Sequence, residues 1–80
     1  IELSGYKIME TLMDVFIGAA INPDRFYSQQ LIRRVSSQYD IHSDNLETRI
    51  MAVIDYISGM TDIYALDIYQ KINGMSLPII

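Results

Sequence analysis

His42 is the one imidazole in this chain of 80 residues, and Asp44 stands two positions after it. Such a pair could give a metal ion two ligands, but two ligands leave a site incomplete. A loop histidine followed by a helix-capping aspartate explains the same residues. The chain has no cysteine, which excludes a Cys–His dyad, and a Ser-His-Asp arrangement would lack any nucleophile elbow. Glu10 and Asp14 lie four apart. On one helix face they could chelate a cation, or simply stay solvated with mild mutual repulsion. Gly5, Gly18, Gly59 and Gly74 each stand alone, so there is no glycine-rich phosphate loop. The residues thus predict no catalytic group and no metal site of the chain's own.

The cations leave more room. Arg33 and Arg34 form the only adjacent basic pair, and helical neighbours diverge by about 100°, so at most one can aim at a given phosphate. They are candidates for an effector or phosphate contact, or for an exposed or interface role. Arg49 falls beside an apolar stripe and could reach a nucleotide, a carboxylate, or a surface ion pair. The run from Asp55 to Tyr69, "DYISGMTDIYALDIY", reads as a helix, a small-residue break and a recapped helix. Gly59 allows close approach of another backbone, and Tyr56, Tyr64 and Tyr69 each present a ring with a polar tip. A helix corner alone accounts for all of it; a ligand role is the sharper alternative.

Four helical stretches must position these groups. In the first, Ser4 to Ala20, Tyr6, Met9, Leu12, Met13, Phe16, Ile17 and Ala20 repeat at three and four. Asn22-Pro23-Asp24 then either ends that helix or caps the next, with Asn22 as N-cap. The second is expected over Tyr27 to Gln38 with a stripe of Leu31, Ile32, Val35 and Tyr39, fraying at Ser36 and Ser37. Tyr39 to Ser43 should be a loop. The third opens on Asp44 and Glu47 at capping-box spacing and carries Leu46, Ile50, Val53, Ile54 and Ile57. Thr61 caps the fourth, and Asp62 suits its positive end. Ala65, Leu66, Tyr69 and Ile72 form its stripe, Asn73-Gly74 predicts a left-handed cap, and Pro78 forbids regrowth. The expected fold is all-α, about four antiparallel helices in a small bundle.

Eighty residues make one domain at most. Half are hydrophobic and a fifth charged, a heavy apolar load for so small a core. Either the core is well filled, or some faces belong against something else, in which case the isolated piece should self-associate. The formal charge of −4 argues against nucleic-acid binding by the whole surface. Charges interrupt every apolar stretch well before the roughly 20 residues a membrane span needs. The opening Ile1-Glu2, with no Met and no basic leader, reads as an excised piece, with the cytoplasm as the default location.

The run "DYISGMTDIYALDIYQKING" resembles the signature near the C-terminus of bacterial dGTPases, HD-superfamily deoxynucleoside triphosphate triphosphohydrolases, and "IELSGYKIMETLMDVF" is similar to the segment upstream of it. Together they cover most of the chain, with Ala19 to Ser43 matching least. The whole, residues 1–80, resembles the phosphohydrolase-associated domain at the end of those enzymes. The resemblance implies a parent that cleaves a dNTP, often dGTP, into a deoxynucleoside and inorganic triphosphate. It also implies a divalent metal, Mg or Mn, held by an N-terminal HD domain that these residues do not contain. The segment would then pack on that domain, support a homo-oligomer and shape the nucleotide pocket. Arg49, Tyr56, Met60, Thr61, Asp62 and Tyr64 are the substrate-proximal or supporting candidates. Many members carry a basic residue where Ile63 stands, and often another at Gln70, which turns the motif here toward packing or base-side contacts. Two other readings stand beside this one: a regulatory module binding a nucleotide or single-stranded DNA through Arg33, Arg34 and nearby tyrosines, and a plain helical protein-interaction domain.

Overall fold

The computed structural model describes residues 5–74, and among them the chain is all-α. Helix α1 spans Gly5–Ile21, α2 Phe26–Ile32, α3 Leu46–Ser58 and α4 Asp62–Asn73. The expected start at Ser4 and the stop at Pro78 lie outside the described residues. No described helix is long and apolar enough to cross a membrane.

Helix α1 is the hub, the one helix closely packed against each of the other three. Its buried line is Ile8, Leu12, Phe16, Ala19 and Ala20, spaced so that successive turns face the same way. The expected stripe is rotated slightly: Met9, Met13 and Ile17 flank the core and Tyr6 points to solvent. Leu12, wholly buried, lies at the centre of that line and Ile8 joins it at its outer end, because three partners surround α1 and bury a wider arc than one face. Asn22 closes this helix, its N–H donating to the Gly18 carbonyl at 3.0 Å. The N-cap of α2 is instead Arg25, extended and without a side-chain cap bond.

Helix α2 stops six residues before the expected Gln38. Two tight turns follow, Arg34 N–H to Leu31 carbonyl and Val35 N–H to Ile32 carbonyl, each 3.0 Å. They satisfy the open carbonyls of the last turn. Ser36 and Ser37 hold no helix together, and the connection to α3 folds back so that Val35 and Ile41 enter the core and Tyr39 lies half-buried.

Asn45, rather than Asp44, caps α3. Its side-chain oxygen accepts from the Glu47 and Thr48 N–H groups at 2.8 and 3.3 Å, so the capping-box spacing from Asp44 is off by one residue. The buried face is Ala52, Val53, Tyr56 and Ile57; Ile50 and Ile54 are half-buried and Leu46 is exposed. Thr61 caps α4 as expected, accepting from the Tyr64 N–H at 3.1 Å, with Asp62 in the first turn. Ala65, Ile68 and Ile72 make its buried face while Leu66 faces outward. Gly74 ends it with φ −84°, not left-handed, so nothing there demands glycine. Gly59 is likewise right-handed, and a Cβ on it would meet the Tyr39 hydroxyl at an ordinary 3.7 Å. The nearest backbone atoms to that position are the carbonyl oxygens of Asp55 and Tyr56 in its own preceding turn, at 3.5 and 3.8 Å.

Candidate functional site: a tyrosine cleft and an arginine cleft

The break between α3 and α4 turns the chain so that Tyr56, on the last turns of α3, meets Tyr64, on the first turn of α4. Their hydroxyls lie 3.1 Å apart. Tyr56 also donates to the Arg34 carbonyl at 3.1 Å. That commits its single proton, so Tyr64 is the donor between the two phenols. Around the Tyr56 ring three others stand edge-on: Phe16 at 5.6 Å, Tyr39 at 5.8 Å and Tyr64 at 6.5 Å between centroids. Such T-shaped pairs set the positive ring edge against a negative face. Burial first, then the hydrogen bond from Tyr64 and its proximity, push the Tyr56 hydroxyl well above its ordinary range, against a smaller pull from Arg34. Tyr56 therefore remains a neutral hydrogen-bonding group, not a base.

A cleft of about 360 Å³ opens over this cluster, lined by Ser36, Gln38, Tyr39, Tyr56, Gly59, Met60, Thr61 and Tyr64. None of those side chains is charged. The cleft offers ring faces, a thioether and hydroxyls, which suit a flat uncharged group better than a phosphate. Of the six substrate-proximal candidates, Tyr56, Met60, Thr61 and Tyr64 come together here. Asp62 does not; it borders a small groove with Ile8, Met9 and Leu66. Ile63 is 84% exposed on the outer side of α4 and Gln70 is also exposed. Both positions thus lie outside the cleft.

Tyr39 is the residue that sequence reasoning missed. It appears there only as the end of an α2 stripe, and it reaches the cleft because α2 stops early. Tyr69, by contrast, packs half-buried against the core and takes no part.

Arg49 lies in a second cleft, of about 450 Å³, with Arg33, His42, Asp24 and Asp44 on its rim and Ile32 and Ile41 in its floor. Arg49 reaches no carboxylate. Its Nε and Nη1 donate to the carbonyls of Ala20 and Ser43 at 2.9 and 2.8 Å, tying the end of α1 to the loop that precedes α3. Arg34 points elsewhere: it does not line this cleft, and its Nε is buried without a hydrogen-bond partner. The adjacent arginines therefore diverge. Glu10 pairs with Lys7 at 3.7 Å, and Asp14 stands exposed beside an unrelated groove with Arg25 and Tyr27. Among the described residues no three His, Asp or Glu side chains converge as metal ligands.

A small all-α segment organised around a capped helix break, with open clefts among the described residues, is a helical domain in form. The chain belongs to the phosphohydrolase-associated domain family, whose model matches residues 2–71. It is 33% identical to a deoxyguanosinetriphosphate triphosphohydrolase-like protein of Listeria monocytogenes, over 94% of this chain and 20% of that protein. Proteins of the same name from Synechocystis sp. and Pseudomonas aeruginosa are each 28% identical over 96% of the chain and 18% of their own length. The chain thus spans about a fifth of the length of the curated relatives it matches. No solved structure matches it.

Proposed function

We propose that this segment completes a dGTPase-like enzyme that cleaves a deoxynucleoside triphosphate into deoxynucleoside and inorganic triphosphate. It packs against a metal-bearing HD domain supplied by the rest of the parent chain, and against neighbouring subunits, in the cytoplasm. The divalent metal, Mg or Mn, is held by that domain. The tyrosine cleft faces the nucleotide and contacts its base or sugar.

One observation carries this reading. The signature-run residues Tyr56, Met60, Thr61 and Tyr64 line one uncharged, aromatic cleft, in a chain whose relatives are named deoxyguanosinetriphosphate triphosphohydrolase-like proteins. A nucleobase stacks on such rings and finds hydroxyl partners at their edge. The triphosphate is left to cations outside the cleft.

The test is dGTP hydrolysis by the full-length protein bearing Tyr64→Phe or Met60→Ala. Thr61 is a poor choice for truncation because its hydroxyl caps α4; Thr61→Ser keeps the cap and serves as control. Loss of one hydrogen-bonding hydroxyl should raise KM by roughly two- to tenfold with assembly intact. Unchanged KM, turnover and subunit association in both variants would remove the cleft from the enzyme's work.

A further inference from the structure

We propose that the cleft between α2 and the start of α3, bordered by Arg33, His42 and Arg49, is a binding site for the phosphate group of a small phosphorylated metabolite. It is distinct from the tyrosine cleft and does not depend on the function proposed for that cleft.

Charge pairing sets the arginines apart. The chain carries ten carboxylate side chains against six Lys and Arg, so any exposed arginine has acids in ample supply. Among the described residues the ion pairs are nevertheless both made by lysines, Lys7–Glu10 and Lys71–Asp67. No arginine has a carboxylate within 4.0 Å. Two of the unneutralised guanidinium groups, Arg33 and Arg49, border one cleft.

Arg49 is the built part of that site. It is half-buried, and two backbone carbonyls at 2.9 and 2.8 Å fix its guanidinium plane. These bonds use two of its five N–H donors and leave its charge uncancelled. A cation held in place by neutral carbonyls loses little freedom when an anion arrives, which is the condition for tight phosphate recognition. Arg33 is exposed and has no side-chain partner, so it can close over a bound anion. His42 adds one more donor in either tautomer.

The rest of the cleft narrows the ligand. Ile32 and Ile41, 7% and 2% exposed, form an apolar floor. Asp24 and Asp44 lie on the rim, where they accept from hydroxyl or amino groups and repel further negative charge. A volume of about 450 Å³ is within the usual range for a small-molecule pocket and far larger than a bare phosphate needs. These features fit a phosphate monoester with a hydroxyl-bearing body, such as a sugar phosphate or a nucleoside monophosphate. They oppose a long polyanion, which would lay its neighbouring phosphates across the acidic rim.

The experiment is calorimetric titration of the full-length protein, wild type and Arg33→Gln, with inorganic phosphate, AMP, ribose 5-phosphate and a short oligothymidylate. Arg33 is exposed, so its replacement leaves the fold intact; a matched thermal midpoint verifies this. We expect at least one of AMP and ribose 5-phosphate to bind more tightly than inorganic phosphate. That binding should weaken by about tenfold or more in Arg33→Gln and fall as salt rises. Any phosphate-binding pocket that does not involve Arg33 contributes equally to both proteins, so only the difference between them counts. Identical binding of every phosphate probe by both proteins overturns the proposal. So does an Arg33-dependent signal from the oligonucleotide alone, which would make this a nucleic-acid contact. A loss of subunit or domain association in Arg33→Gln with phosphate binding unaltered also overturns it, since the cleft would then hold a carboxylate of the parent protein.

Discussion

Tyr56 gives its proton to the Arg34 carbonyl, receives one from Tyr64, and holds its ring against Phe16, Tyr39 and Tyr64. One side chain therefore joins α1, the α2–α3 connection, α3 and α4. Its hydroxyl ionises less readily in the folded chain than its ordinary value near 10. A raised acid pKa stabilises the fold fully below the ordinary value, and the gain is lost as pH climbs above it. Thermal midpoints measured from pH 8 to 11 should thus be flat to about pH 10 and fall beyond, with tyrosinate absorbance showing one phenol titrating late. In Tyr56→Phe that late phenol should vanish. The variant should also lose roughly 1–3 kcal/mol near neutrality, because the Arg34 carbonyl forfeits its donor. A neutral-pH stability equal to wild type would mean water replaces the hydroxyl without loss. At this scale the signature residues Tyr56, Met60, Thr61 and Tyr64 were legible from their run in the sequence. Tyr39 was not, since a loop carries it to the cleft and no local pattern encodes that path. Nor was the use of Arg49, whose partners are main-chain carbonyls that look alike at every position.

Helix existence was readable because apolar residues recur at three and four through each of the longer helices. Ends and rotations were harder. Asp44 and Asn45 are both good caps, and only the path of the preceding loop decides between them: the Ser43 hydroxyl accepts the Asn45 N–H at 3.1 Å and sets Asn45 in extended geometry. Asn45→Ala should therefore cost about 1 kcal/mol, while Asp44→Ala should fall within about 0.5 kcal/mol of wild type. Urea unfolding of the two variants measures the contrast, and equal losses would return the cap to Asp44. For α2, propensity pointed to a longer helix, but burying Val35 and Ile41 outweighs extending a helix through two serines. The rotation of α3 follows from packing as well. Tyr56 must reach the Arg34 carbonyl, which turns Ile50 and Ile54 toward the edge.

The described chain is a slab of 38 × 26 × 17 Å. Interhelical spacings of about 8–10 Å make that two layers, so little of it lies far from a surface. Phe26 is 77% exposed and Ile21 49%, large apolar side chains beside the corner that joins α1 to α2. An uncovered patch of this kind favours association. The segment on its own should sediment above its monomer mass, and Phe26→Gln should shift it toward monomer with its thermal midpoint unchanged. A wild-type segment that is monomeric at high concentration would refute this. The apolar excess was visible in composition; which faces carry it was not, because exposure depends on how the helices turn about α1. That arrangement has a consequence for how the molecule comes into being. Each later helix seats on α1, which leaves the ribosome before any of them, so every newcomer finds its docking partner already translated. Assembly can follow the direction of synthesis, with no early helix left waiting for a late one.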